Sequence, residues 1–170
     1  MKILGVDPGL RHLGLAVLED GRVVDHYTVV PKGRGKIPIE QALTTAMGAL
    51  NNVFKDHFIS YAAVEQVSWY GKRHRVMLPL SHVAGCLVGY LCACGVPSCL
   101  LLAHQRRPVK IPRAWRGESW DEHQRDAAAL ATVLHRHLLA VHAGEPTALP
   151  KVSAVARRLI TAPRSARGPG

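Results

Sequence analysis

Four side chains able to hold a divalent cation come from three distant parts of the chain: Asp7, Glu65, and the pair His123 and Asp126. Asp7 ends the apolar run Ile3-Leu4-Gly5-Val6 and precedes Pro8-Gly9, a turn signal with proline suited to the second position and glycine to the third. An aspartate is disfavoured inside a strand and costly to bury without a partner. In isolation, Asp-Pro-Gly reads as a capped turn. Glu65 closes a second apolar run, Ile59 to Glu65 (ISYAAVE). His123 and Asp126 are three residues apart, a spacing that puts them on one face of a helix. Hard carboxylate oxygens are the donors that Mg²⁺ and Mn²⁺ prefer, and an imidazole tilts such a site toward Mn²⁺.

The elements that must carry these groups follow from periodicity. The first run is a buried strand. Leu13 to Leu18 is a second strand, its glycine leaving room for close backbone approach. Glu19-Asp20-Gly21 is a hairpin turn, and Arg22 to Val30 is a third strand, so the first three strands form an antiparallel meander. Ile39 to Phe54 has helical period, with Ile39, Leu43, Met47, Leu50 and Phe54 on one face. A helix followed by the strand that ends in Glu65 implies a crossover and a parallel pair. Parallel neighbours end on the same side, so if these two strands pair, Asp7 and Glu65 project from one edge of the sheet, where open α/β sheets place their sites.

Val76 to Gly95 is strongly apolar, with Ser81, Ala84, Gly85, Gly89 and Ala93 at intervals that allow close helix packing. It reads as a helix buried on most of its circumference, in the core or at a dimer interface, with Pro79 near its start or at a kink. His82 on it is a core or interface histidine. Val96 to Ala103 is a further buried strand. Trp120 to His142 is the last large helix, with an apolar stripe of Ala127, Leu130, Val133, Leu134 and Leu138 and an acidic first turn, Asp121-Glu122. Its alanines let it lie close on the sheet where Asp7 and Glu65 emerge. Cys86, Cys92, Cys94 and Cys99 lack the paired spacing of a zinc site and read as small core residues.

The whole is an α/β fold, a mixed five-stranded sheet flanked by helices. Residues 1–142 make one domain, and 143–170 a basic, partly disordered C-terminal extension. The chain has 170 residues, 48% of them hydrophobic and 20% charged, and a net charge of +10. Such an excess points to a polyanionic partner. No apolar run is long enough to span a bilayer, and the N-terminus enters a strand at once, so a cytoplasmic protein without a membrane partner is expected.

Two stretches suit nucleic acid. After Glu65, the aromatics Trp69 and Tyr70 are interleaved with Lys72, Arg73, His74 and Arg75, rings to stack on bases beside cations for phosphates. From His104 to Arg116, the cations Arg106, Arg107, Lys110, Arg113 and Arg116 occur with no acid. Prolines there favour an extended segment tracking a phosphate backbone. The loop Pro31 to Pro38, with Lys32, Arg34 and Lys36, reads equally as a solvated linker or a phosphate contact.

Taken together, Gly-Val-Asp-Pro-Gly-Leu, Val-Glu-Gln at the end of a later strand, and His-x-x-Asp-Ala before a small-residue helix resemble the RuvC family of Holliday-junction resolvases. The resemblance runs from about Met1 to His142 and implies a ribonuclease H-like fold. It implies that Asp7, Glu65, His123 and Asp126 form a catalytic set holding two Mg²⁺ ions, or Mn²⁺ in their place. Asp7 would bridge the ions, Glu65 would hold one, and Asp126 with His123 the other. It further implies a homodimer that nicks four-way junction DNA in pairs, an aromatic (Trp69 or Tyr70) inserted near the crossover, and Lys110 of Pro-Val-Lys as a catalytic-site lysine. No nucleotide cofactor is expected. Three alternatives share parts of the pattern. One is an RNA-processing nuclease of the YqgF type. Another is the phosphate loop of the actin and sugar-kinase superfamily, whose second lobe would not fit in this chain. The third is a DNA-binding module without catalysis.

Overall fold

Five strands form one mixed sheet in the order β3-β2-β1-β4-β5. The computed structural model describes residues 1–33, 35–67, 74–106, 109 and 120–144, with the backbone alone for 74–76. β1 (Lys2–Asp7), β2 (Leu13–Glu19) and β3 (Arg22–Val29) make the expected antiparallel meander. Asp20 and Gly21 at the hairpin between β2 and β3 both have positive φ, 48° and 84°, as a tight turn matched to strand twist requires. β4 (Tyr61–Gln66) runs parallel to β1, and β5 (Ser98–Leu102) parallel to β4. No helix among the described residues is long and apolar enough to cross a membrane.

Alternation along the strands divides the core in two. Leu4, Val6, Leu15, Val17, Ala62 and Val64 face α1 (Ile39–Asp56) and α2 (His74–Ala93). Ile3, Leu18, Ala63 and Leu101 face α4 (Glu122–His142) on the other side. Ile3, Leu4, Leu15 and Leu18 are fully buried, each contributing about 1.5–3 kcal/mol of apolar transfer.

α4 lies against the strand backbones because β1 and β2 carry glycine beneath it. A Cβ on Gly5 would stand 1.8 Å from the Ala127 carbonyl oxygen, and one on Gly14 would stand 2.2 Å from that of His123. Small residues Ala127, Ala128 and Ala131 complete the contact. The start of α4 is held by a capping box: Asp121 accepts from the Gln124 N–H at 2.9 Å, and Gln124 Oε1 accepts from the Asp121 N–H at 3.2 Å. Thr28 Oγ1 on β3 donates to the same Asp121 at 2.5 Å, which ties the helix end to the sheet.

Four expectations change. The buried face of α1 is Ala42, Ala46, Leu50 and Val53, with Ile39, Leu43 and Phe54 half-buried beside it. The small alanines let the helix approach and turn the bulky stripe to the flank. α2 is buried only along Val83, Ala84, Leu87 and Leu91. His82, Gly85, Cys86, Gly89, Cys92 and Ala93 are exposed, and Pro79 lies inside the helix without ending it. Cys86, Cys92 and Cys94 are therefore not core residues, and only Cys99 is buried. Lastly, the chain after β5 is not extended at once: Ala103–Arg106 forms one helical turn, α3. That turn precedes Pro108 and Pro112, so neither proline opposes it. Of the proposed extension, 145–170 lies outside the described residues.

Candidate active site

β1 and β4 pair in register as far as Val6 and Val64, so the next residues, Asp7 and Glu65, stand side by side at the strand ends. Alternation turns both toward α4, on the same side as Gly5 and Ala63. The capped and tightly seated start of α4 then brings His123 and Asp126 over them. His123 Nδ1 lies 2.8 Å from Asp7 Oδ2. All four groups that the sequence singled out as metal-capable thus meet at one sheet edge.

Arg106 joins them. It leaves α3, which begins where β5 ends beside β4. Its Nε donates to Glu65 Oε2 at 2.9 Å, and its Nη1 to Asp126 Oδ1 at 2.5 Å. The sequence assigned Arg106 to a phosphate-tracking segment. In the structure it is the cation of the carboxylate cluster.

Burial dominates the electrostatics. It lifts the Asp7 carboxyl to about 7, with the neighbouring Glu65 and Asp126 charges adding to the rise and the His123 hydrogen bond opposing it. Burial also raises Glu65 and Asp126 above the ordinary carboxylate range, even though Arg106 pulls both down. Burial thus leaves carboxylates whose ionised forms the protein compensates only in part, and their hard oxygen donors suit Mg²⁺ or Mn²⁺. As the side chains stand, no group of three or more His, Cys, Asp or Glu among the described residues is set to hold a metal ion. Arg106 occupies two of the carboxylates and His123 a third, so the donor chemistry fits an ion while the arrangement is closed around a guanidinium.

His12 was not singled out from the sequence. Its ring stacks on His123 with centroids 5.2 Å apart and planes 20° from parallel. Beside it a cleft of about 820 Å³ opens from Asp7 and His123, with Arg11, His12 and Lys36 on its walls and Leu10, Ile37 and Leu80 among its apolar lining. Arg11 Nη2 donates to the Gly35 carbonyl at 2.6 Å, which draws the Pro31–Pro38 loop to the rim. The available signal was position: Arg11 and His12 lie in the return from the Asp7 turn, which must pass the strand end. Gly9 serves that turn through close packing, since a Cβ there would stand 2.1 Å from the His12 carbonyl oxygen.

Of the other expected contacts, Trp69, Tyr70, Lys72, Arg73, Arg107, Lys110, Arg113 and Arg116 lie outside the described residues. Arg75 falls in the first turn of α2, described by its backbone alone.

The family model described as crossover junction endodeoxyribonuclease RuvC matches residues 3–110. Proteins of that name from Myxococcus xanthus and Rhodopirellula baltica are each 31% identical to the chain, over 67% and 68% of its length. One from Campylobacter hominis is 34% identical over 50% of it. The chain spans 58%, 63% and 54% of those three relatives. Among solved structures, Thermus thermophilus RuvC in complex with a Holliday junction substrate superposes with a TM-score of 0.68 at 18% identity. That match covers 85% of this chain and 96% of the other. A second Thermus thermophilus RuvC structure gives 0.64 at 18% identity, over 85% and 97%. The sheet and its flanking helices therefore have the ribonuclease H-like fold of those structures.

Proposed function

The chain belongs to the RuvC family, and from that premise we propose that it is a metal-dependent endonuclease that resolves four-way DNA junctions. The observation that carries this reading is the meeting of Asp7, Glu65, His123 and Asp126, from three separate elements, at one sheet edge beside an open cleft. Those four would hold two Mg²⁺ ions, with Mn²⁺ an acceptable substitute. Bound there, the ions supply an activated water and a stabilised leaving oxygen for phosphodiester hydrolysis.

The chain's own groups prepare that chemistry. The Asp7 carboxyl, lifted to about 7, holds a proton near neutrality that a divalent ion must expel. The His12 ring stacked on His123 limits the orientations open to the imidazole. Arg11 and Lys36 at the cleft would take phosphate oxygens while Leu10, Ile37 and Leu80 receive an unstacked sugar or base, contacts that position the strand without reading sequence. Trp69 or Tyr70, Lys72, Arg73, Arg75, Lys110 and the remaining cations of 107–116 would extend this surface over the branch.

A homodimer supports paired nicking. The outer face of α2 presents His82, Gly85, Cys86, Gly89 and Cys92, all exposed, and among the described residues nothing lies within 4 Å of a Cβ built on Gly85 or Gly89. Residues 77–103 contain no Asp, Glu, Lys or Arg. A second copy packed there could approach closely with no charge to desolvate. Two sites would then act on opposite strands, in the cytoplasm, from a nuclease domain of residues 1–142.

A labelled four-way junction incubated with Mg²⁺ or Mn²⁺ tests the proposal. Paired, symmetrically placed nicks are expected, none in chelator, and none with Asp7→Asn even where that variant still binds the junction. Cleavage of structured RNA in preference to the junction would overturn the DNA assignment.

A further inference from the structure

The geometry points to a role for Arg106 that rests on this metal-dependent reading: it is a resident counter-ion that a divalent cation must displace from Glu65 and Asp126. One guanidinium spans both carboxylates, Nε on Glu65 and Nη1 on Asp126, at 2.9 and 2.5 Å. The three side chains are only 22%, 16% and 28% exposed. This is not a solvated surface pair, which would contribute little and yield readily. It is a partly buried bridge with each fork committed to a different acid, the geometry for which arginine is better suited than lysine.

The bridge is also built into the fold. α3 follows β5 directly, and Gln105 Oε1 accepts from the Leu102 N–H at 2.7 Å, fixing the turn that aims the next residue across β4. The bridge joins partners 41 and 20 residues away in sequence, one on a strand and one on α4.

A guanidinium and a divalent ion held together on these two carboxylates would stand close enough to repel each other strongly at a partly buried site. Mg²⁺ takes oxygen ligands at about 2.0–2.1 Å in a near-octahedral shell. The guanidinium, with Nε on Glu65 Oε2 and Nη1 on Asp126 Oδ1, occupies one approach to each. This accounts for the closed arrangement, with abundant donors and no group of three open to an ion among the described residues. Without metal, Arg106 offsets repulsion between buried carboxylates that share one edge. With metal, it must swing out, which leaves its fork free for a phosphate. Arginine does not lose its charge in the accessible pH range, so a competing cation is what releases it.

The test uses the full chain without DNA. Mn²⁺ binding is followed by the electron paramagnetic resonance of the free ion, for the wild type and Arg106→Gln. The apparent Kd for Mn²⁺ should fall by about tenfold in the variant, a change of ~1.4 kcal/mol. Its melting temperature in chelator should drop, and Mn²⁺ should raise it by more than in the wild type. Binding no tighter than wild type overturns the inference and leaves the nuclease reading intact. Absence of Mn²⁺ binding in both proteins overturns the inference and the metal-dependent reading together. A second measurement needs only the wild-type fold: the Arg106 Nε–H signal in a ¹⁵N spectrum, assigned by its loss in Arg106→Lys, followed through a Mg²⁺ titration. Release should move that signal toward the position and solvent exchange of an exposed guanidinium as the site saturates. An unmoved signal at saturation overturns the inference.

Discussion

His123 meets Asp7 at 2.8 Å, and His57 meets Asp25 at 3.1 Å, yet the two pairs have opposite electrostatics. Asp25 lies on β3 opposite Val17, which in turn lies opposite Leu4, three residues back along β1 from Asp7. Burial pushes Asp25 up, but hydrogen bonds from Tyr27, His57 and the His26 N–H outweigh it and hold the carboxyl below its usual range. The Tyr27 hydroxyl donates to Asp25 Oδ2, and the His26 N–H to Oδ1 at 2.8 Å. Lys2 Nζ reaches the far side of the His57 ring at 3.5 Å. That network is satisfied from within and staples the end of α1 to the meander. Asp7 has one imidazole, two neighbouring carboxylates and deep burial, and its carboxyl rises to about 7. The difference teaches that a histidine–aspartate contact identifies nothing by itself. What marks the site is burial of carboxyls whose charged forms the protein compensates only in part, at a stability cost typical of functional clusters.

The sharpest way to break the contrast is at its two carboxylates. Asp7→Asn should lower junction nicking by about a thousandfold or more, the loss expected when metal stabilisation worth several kcal/mol is removed. Metal-free, the same variant should be more stable than wild type at pH 8. A carboxyl moved from 3.8 to about 7 carries an ionisation cost of at most roughly 4 kcal/mol. The sign follows from linkage. The raised Asp7 gives its full contribution below pH 3.8, and that contribution is lost as pH rises through about 7. The stability gap between Asp7→Asn and wild type, measured by denaturant melts in chelator from pH 5 to 9, should therefore widen with pH and level off above the upper value. Mn²⁺ binding, which expels the Asp7 proton, should tighten across the same window.

Gly5→Ala should come next. The added methyl meets the Ala127 carbonyl, and relieving an overpacked backbone contact costs about 1–3 kcal/mol or more. Because α4 carries His123 and Asp126, nicking should fall with stability, while the His57 ring resonances stay in place. Asp25→Asn should do the reverse, losing about 1–3 kcal/mol through the broken charged hydrogen bonds with kcat unchanged. With its carboxyl depressed in the fold, Asp25 contributes above pH 3.8 and loses that contribution as pH falls through its folded value. The penalty of Asp25→Asn should accordingly shrink in acid, the opposite slope to Asp7→Asn. The smallest effect is expected at His12. His12→Ala should slow nicking severalfold by freeing the His123 ring, and His12→Phe, which keeps a flat stacking partner, should restore most of the rate.

Much of this architecture could be read from the chain. Asp7 and Glu65 close apolar runs, a helix between those runs forces a parallel crossover, and three-residue spacing holds His123 beside Asp126. Gly14 marked where another backbone would pass; that Gly5 does the same is visible only in the packed fold. Less legible was the orientation of the helices. The bulky stripe on α1 resembled its core face, but alanines make the closest contact. The apolar character of α2 suggested burial on most of its circumference, in the core or at a dimer interface, and within one chain the face carrying Cys86 and Cys92 is open. Apolar composition reports that a helix has something to cover and is silent on whether the cover lies within the same chain.

Turn chemistry and the strand and helical periods are set by residues close in sequence, so the chain alone determined that two carboxylates would each end an apolar strand and that a histidine and an aspartate would share a helix face. Tertiary structure decided the rest: His12 against His123, the Pro31–Pro38 loop drawn to the cleft, and Arg106 withdrawn from a basic run to stand among acids. Those are choices among many partners of like chemistry, made by long side chains and loops whose reach exceeds any local pattern. They are resolved only when the packed backbone fixes which charges share a buried edge.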